Sequence, residues 1–319
     1  MSAPAACGAA VKADGYGLGA REVATRLAEA GCRDFFVSNW REAEELAPLG
    51  LQLSVLHGVR DEDMPAARAG VARPVLNSPE QVARWRAAGG APCDVMVDTG
   101  MNRLGLSVAD VEAGLLDGLR VETLMSHLAC AEEPVAMNRR QRDAFAGLAG
   151  RTAARRMSLA NSAGIALGPD YRFDLTRPGL ALYGGVPRPD MAASLRQVVR
   201  PEAQVVQRRR VSAGESVGYN ATWRAERDTE VAILNIGYAD GYLRAFSDRG
   251  SVEWRGVRLP VIGRVSMDLV AVDVDLASGL RDGEWATVAY DLPAQSAASR
   301  LSQYELLTGM GGRYDRVWI

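Results

Sequence analysis

Short β-type runs alternate with longer helical patterns up to about residue 190, and that rhythm narrows the architecture sharply. The β-type runs are 8–12, 34–37, 52–56, 73–76, 93–98, 120–126, 156–159 and 172–175. Amphipathic stretches at 20–30, 40–46, 78–88 and 135–148 lie between them; in the first, Val23, Leu27 and Ala30 recur at helical spacing and Gly31 supplies a stop. Eight such alternations favour a closed parallel (β/α)8 barrel, of the α/β class, over the alternative of an open doubly wound sheet.

After Pro187 the texture changes. Alternating β runs at 203–209, 230–236, 251–255, 257–265, 269–274 and 285–289 are punctuated by Gly and Asp. One helical stretch, about 295–307, precedes a final strand-like 313–319. The reading is therefore a barrel over 1–188 and a mostly-β domain over 189–319, joined near Pro187-Arg-Pro-Asp.

With 37 Lys+Arg against 39 Asp+Glu in 319 residues, the chain lacks the basic excess of a phosphate-backbone binder. No apolar run is long enough to cross a bilayer, and the start has no basic or hydrophobic leader, so the expectation is a cytoplasmic enzyme. Cys7, Cys32, Cys93 and Cys130 show no metal-type pairing and are expected to be buried thiols. Only His57 and His127 are present, too few for a histidine metal cage.

In a β/α barrel the chemistry gathers at the carboxyl ends of the strands. The residues closing the proposed strands are Lys12, Ser38-Asn39, His57, Asn77, Asp98 through Arg103, His127, Asn161-Ser162 and Arg177. A lysine ending a buried strand is partly desolvated, which lowers its pKa and frees the amine as a nucleophile or Schiff-base partner; the bland alternative is a snorkelling rim lysine. Asn161-Ser162 and Arg177-Pro-Gly lie where barrels bind phosphate, although Asn161 and Ser162 could equally be a plain helix cap. Jointly a lysine, a phosphate site and ring-edge candidates His127 and Arg177 suit pyridoxal phosphate. Spacing alone assigns no function to Tyr219, Tyr238 or Met267 in the second domain.

The chain resembles the bacterial alanine racemase family. The resemblance is carried in one order by Val11-Lys-Ala-Asp-Gly-Tyr-Gly, Val97-Asp-Thr-Gly-Met-Asn-Arg-Leu-Gly, Ser126-His-Leu-Ala-Cys-Ala-Glu-Glu, Ala160-Asn-Ser-Ala-Gly and Arg177-Pro-Gly-Leu-Ala-Leu-Tyr-Gly. In the second domain it is carried by Val217-Gly-Tyr-Asn-Ala-Thr-Trp-Arg-Ala, Ile236-Gly-Tyr-Ala-Asp-Gly and Gly263-Arg-Val-Ser-Met-Asp.

What the resemblance implies is pyridoxal 5'-phosphate-dependent interconversion of L- and D-alanine, supplying D-alanine for peptidoglycan. Lys12 would hold the cofactor and act as base on one face; Tyr219, from the partner of a head-to-tail homodimer, would be the base on the other. A free tyrosine titrates near ~10, so it needs positive neighbours, which His127 and Arg177 would supply. Arg177 would meet the pyridine nitrogen. Tyr16, Asn161, Ser162, Gly179, Leu180 and Tyr304 would hold the phosphate. Arg103 and Met267 would meet the substrate carboxylate, and Tyr238 would line the approach from the second subunit.

Three departures accompany the resemblance. The family has a strand and a helix ahead of the lysine-bearing strand, where this sequence has only Met1–Val11. Met96 stands where many members carry a lysine that partners the carboxylate-binding arginine, and Gly15 and Leu18 replace Ala and His. A broad-specificity amino-acid racemase and a cofactor-binding relative without racemase activity are the alternative readings.

Overall fold

A computed structural model describes the chain from Met1 to Ile319 and divides it into two units, Met1–Leu182 with Val186–Leu195, and Tyr183–Gly185 with Arg196–Ile319. Pro187–Asp190 belongs to the first unit.

The first unit carries strands β1 (Ala6–Cys7), β2 (Ala9–Ala10), β3 (Asp34–Val37), β4 (Gln52–Val55), β5 (Arg73–Leu76), β6 (Cys93–Asp98), β7 (Leu106–Ser107), β8 (Val121–Met125), β9 (Arg156–Ser158) and β10 (Leu175–Thr176). A parallel ladder runs β2-β3-β4-β5-β6-β8-β9, with β7 beside β6, while β1 pairs in parallel with β10. β1 and β2 are one strand interrupted at Gly8, whose N–H donates to Thr176 O at 2.9 Å. Asp174 N donates to Met157 O at 3.0 Å, Arg177 N to Ala160 O at 2.8 Å and Ala10 N to Pro178 O at 2.9 Å. Those bonds carry the sheet from β9 through β10 back to the first strand and complete the barrel. All four residues of β3 are buried, as expected of a parallel strand covered on both faces.

Helices follow most strands with local signals that explain their starts. Asn39 caps Trp40–Leu46 by accepting from Glu42 N, and Ser78 caps Pro79–Ala87 by accepting from Gln81 N. Ala20–Glu29 and Ala136–Ala146 complete the four helices read from the sequence. At the amino end of the barrel the interior is ionic rather than apolar. Arg156 Nη2 meets Asp34 at 2.7 Å, Arg73 Nε lies 3.4 Å from Asp94, and Ser54 Oγ donates to Asp94 at 2.6 Å. Burial pushes the Asp94 carboxyl up, against the pull of Arg73.

The second unit contains β11 (Glu202–Val211), β12 (Ser216–Val217), β13 (Trp223–Arg224), β14 (Thr229–Leu234), β15 (Ser251–Trp254), β16 (Val257–Ile262), β17 (Val270–Asp273) and β18 (Trp285–Val288). Six of them form a closed antiparallel barrel, β11-β14-β17-β16-β15-β18, and β12 and β13 form a hairpin. Val211, Ala225, Val231, Ile262 and Ala271 make a core at one end, with Val217 and Trp223 of the hairpin packed on it.

Four expectations are corrected. The last barrel strand is Leu175–Thr176 rather than 172–175, because Arg172 still belongs to a turn and Phe173 is left-handed at φ 51°. The single helix at 295–307 is two, Leu292–Ser299 and Gln303–Thr308, divided where Arg300 turns left-handed and Ser302 opens a new capping box. Residues 313–319 form no strand, for the six-stranded ring is closed and offers no edge to pair with. Of the cysteines only Cys93 is buried; Cys7 is exposed, Cys32 and Cys130 are half-buried, and all four are free thiols. No helix is long and apolar enough to cross a membrane.

Candidate active site

Lys12 stands two residues after the end of β2 and is half-buried. Its pKa is lowered, first by burial and then by Arg103, with Glu42 opposing. The next five residues, Ala13 to Gly17, all have positive φ, between 52° and 84°. A left-handed run costs about 1–2 kcal/mol for each non-glycine residue, so the surroundings must hold it. Glu42 does this from the neighbouring helix, its carboxylate accepting from Ala13 N at 2.8 Å and Ser38 N at 2.7 Å. Asp14 Oδ1 accepts from Ala20 N at 2.8 Å and closes the turn. The sequence-level signature of Glu42 is its place three residues after the cap Asn39.

The strained turn delivers Tyr16 to a second cluster. Tyr16 is buried, and burial pushes its phenol up to about 12, so it is a neutral donor. Its Oη lies over the Cα of Gly179, and a methyl at that position would overlap the hydroxyl. Ser162 Oγ accepts from Gly179 N at 2.9 Å and Ala181 N at 3.2 Å. Having accepted twice, the Ser162 hydroxyl directs its own proton elsewhere. Tyr16, Ser162, Gly179 and the adjoining Leu180 thus converge. Asn161 Oδ1 is occupied differently, capping Gly164 N at 2.9 Å.

Four basic groups form the other cluster. Arg177, 7% exposed, donates to Ser158 O at 2.9 Å, to Ser158 Oγ and to Ser126 O at 2.6 Å. Three of its five N–H groups are thereby used, which leaves donors for a further acceptor. Burial lowers its pKa to about 10, with Asp94 opposing, so the guanidinium stays charged near neutrality. Burial, with Arg177, Arg103 and Lys12 adding in that order, drives His127 down to about 3 and keeps its imidazole neutral, so of the two positive neighbours expected for Tyr219 only Arg177 carries charge. Arg103 sits on an exposed loop whose shape is set by Asp98, which accepts from Gly100 N at 2.7 Å and Arg103 N at 2.9 Å. The Arg103 guanidinium has no carboxylate partner, and Met96 is packed with Phe36, Val75, Met125 and Leu175.

Lys12 and Arg103 repel each other and, with Arg177, press on His127, while Glu42 compensates at Lys12 and Asp94 at Arg177, so the site as built favours an anion. A half-buried amine of lowered pKa, a cradle at Tyr16, Ser162 and Gly179, and a charged donor with spare N–H groups fit pyridoxal phosphate. The donor set matches its aldehyde, its phosphate and its ring nitrogen respectively.

Tyr219, Tyr238, Met267 and Tyr304 lie in the second unit. Tyr238 N donates to Ser266 O and Ala239 N to Met267 O, each at 3.0 Å, so the Tyr238 and Met267 loops are tied together. Arg313, which the sequence did not single out, braces both loops through Asp240 at 2.7 and 2.8 Å and Asp268 at 2.7 Å. Tyr219 follows the β12 end of the hairpin at 66% exposure, and Met267 is 53% exposed. Tyr304 is half-buried in Gln303–Thr308, its carbonyl accepting from Thr308 Oγ1.

Residues 1–187 match the family of the alanine racemase N-terminal domain, and residues 198–318 match that of the alanine racemase C-terminal domain. The chain belongs to the alanine racemase family. Among curated members of the family it is 44% identical to the alanine racemase of Acidiphilium cryptum, over 96% of this chain and 90% of that one. It is 42% identical to the alanine racemase of Rhodospirillum rubrum, over 98% and 88%. The crystal structure of the Bartonella henselae alanine racemase with covalently bound pyridoxal phosphate superposes with a TM-score of 0.92 at 35% identity, covering 100% of this chain and 94% of that one. The biosynthetic alanine racemase of Pseudomonas aeruginosa gives 0.86 at 34%, covering 98% and 92%.

For this family member the neutral His127 has a consequence for stability. Its folded pKa lies below that of the unfolded chain, so the unfolded state takes up a proton that the folded state refuses. Stability from this residue is present above pH 6.5 and lost as pH falls toward 3. Between pH 6.5 and 4.5 the loss is about 2 kcal/mol. In urea melts, His127→Asn is expected to lose less stability than the parent over that interval; equal losses would contradict the assignment.

Proposed function

We propose that this chain is a pyridoxal 5'-phosphate-dependent alanine racemase working by two bases, one from each protomer of a head-to-tail homodimer. The observation that carries the reading is the convergence of Lys12, Arg103, His127 and Arg177 into a basic site, beside the Tyr16–Ser162–Gly179 cradle.

When bound, the cofactor spreads the negative charge that develops on the substrate α-carbon. Lys12 would hold it and would serve as base and acid on one face, a role helped by its lowered pKa. Tyr219 of the partner subunit serves the opposite face. A proton removed on one side and returned on the other inverts the centre with no net change in protons or electrons. Arg177 remains protonated and would donate to the cofactor's ring nitrogen, a role in which it would restrain the ring as an electron acceptor. Tyr16, Ser162, Asn161, Tyr304 and the backbone N–H of Leu180 would hold the phosphate, and Gly179, its own N–H committed to Ser162, would admit the Tyr16 hydroxyl by lacking a side chain. Arg103 and Met267 orient the substrate carboxylate, and Tyr238 lines the approach.

The exposure of Tyr219 and Met267 supports a role completed by a second copy, since neither is covered in its own unit. In this reading residues 1–188 form the cofactor barrel, residues 189–319 reach the neighbouring site, and the enzyme makes D-alanine for peptidoglycan in the cytoplasm. Purified protein given cofactor and single L-amino acids in deuterium oxide is expected to racemise alanine with deuterium at the α-carbon, faster than serine or lysine. Equal rates on all three would favour the broad-specificity reading, and cofactor binding without exchange would remove racemase activity altogether.

A further inference from the structure

Gln141 is a polar side chain with no exposed surface, on the core face of Ala136–Ala146. Burying an amide without partners costs several kcal/mol, so its partners explain its presence. Its Oε1 accepts from Ala129 N at 2.9 Å. Its Nε2 donates to His127 O at 2.9 Å and reaches Thr99 Oγ1 at 3.4 Å. Thr99 Oγ1 in turn shares a 2.8 Å hydrogen bond with Ser126 Oγ, and Ser126 O accepts from Arg177 Nη2 at 2.6 Å. Above it, Gly100 approaches so closely that a Cβ there would lie 3.0 Å from Met137 Cε and 3.8 Å from Gln141 Cγ. One amide thus grips the backbone on both sides of Leu128 and touches the loop that carries Arg103. Through Ser126 the same network continues to Arg177.

We propose that Gln141 is a positioning residue, setting His127 and the Arg103 loop in register so that substrate carboxylate and cofactor ring are held at one spacing. The proposal rests on the functional reading above for its effect on catalysis, but its structural part stands on the hydrogen bonds alone. Its cause is chemical: an amide offers an acceptor to Ala129 and donors to His127 and Thr99 at once, which neither a carboxylate nor a thioether can do. Loosening either loop by an ångström displaces reacting groups enough to cost one to two orders of magnitude, roughly, in rate.

The test compares Gln141→Glu, which keeps the acceptor and loses the donors, with Gln141→Met, which keeps the volume and loses both. Hydrogen exchange followed by mass spectrometry on the cofactor-loaded protein reads residues 99–103 and 127–129; racemisation gives KM and kcat for L-alanine. The expected result is faster exchange in both loops together in each variant, with unchanged exchange in the β14–β17 strands of the second unit. KM for alanine should rise by about tenfold, more than kcat falls. Unchanged exchange in both loops, or a change confined to one, would overturn the proposal. So would kcat falling while KM stays constant. Should the parent protein lack racemase activity, the functional reading fails, while the exchange arm still decides whether Gln141 couples the two loops.

Discussion

Replacing Lys12 by alanine is expected to abolish the cofactor's absorbance band in the purified protein and to lower racemisation by at least ~10³-fold. Lys12 is the one amine at the mouth of the barrel, and both burial and Arg103 favour its unprotonated form. Lys12→Arg should fail nearly as completely, because a guanidinium stays protonated and can neither hold an aldehyde nor accept a proton near neutrality. Neither change should unfold the chain. Lys12 is half-buried, and the turn after it is held through Ala13 N and Asp14 rather than through the lysine side chain. A Lys12→Ala protein that keeps the band and more than a few per cent of the activity would remove the central residue from the scheme.

Tyr219→Phe is expected to lower interconversion by about 10²–10⁴-fold, the usual contribution of a positioned acid or base. The effect should be one-sided. With only Lys12 in place, solvent deuterium should still enter the α-carbon of one enantiomer with retention, while exchange on the other enantiomer falls with racemisation. The phenol is exposed and makes no hydrogen bond within its own chain, so the variant should melt within about 0.5 kcal/mol of the parent. Equal residual exchange from both enantiomers would mean that Tyr219 does not serve a single face.

The barrel was readable because its strands are short apolar runs ending in polar residues, and the runs at 34–37, 73–76 and 93–98 coincide with strands in the structure. The last strand was misplaced because Arg172–Phe173 has an extended composition but a turned backbone, a tertiary choice that propensity does not encode. The tail at 313–319 has strand-like alternation, yet its pairing depends on a free edge that only the assembled ring reveals as missing.

The site divides in the same way. Lys12, His127 and Arg177 announce themselves as polar residues closing apolar runs. Gln141 and Glu42 do not, because they act from helices, on backbone groups of other loops. A weak signal existed for each: Gln141 shares the buried face with Asn138 and Phe145, and Glu42 completes a capping pattern with Asn39. Arg313 gave none, since its two carboxylate partners are far away in sequence.

The most direct measurement is complementation between two inactive proteins, Lys12→Ala and Tyr219→Phe, unfolded together, refolded and assayed for racemisation of L-alanine. If the amine and the phenol come from different protomers, mixed dimers contain one intact site, and random pairing should restore about a quarter of the parent activity. If both groups came from one chain, every site in every mixed dimer would carry a lesion. Activity no higher than that of the two variants separately, in a mixture shown to contain mixed dimers, would contradict the account.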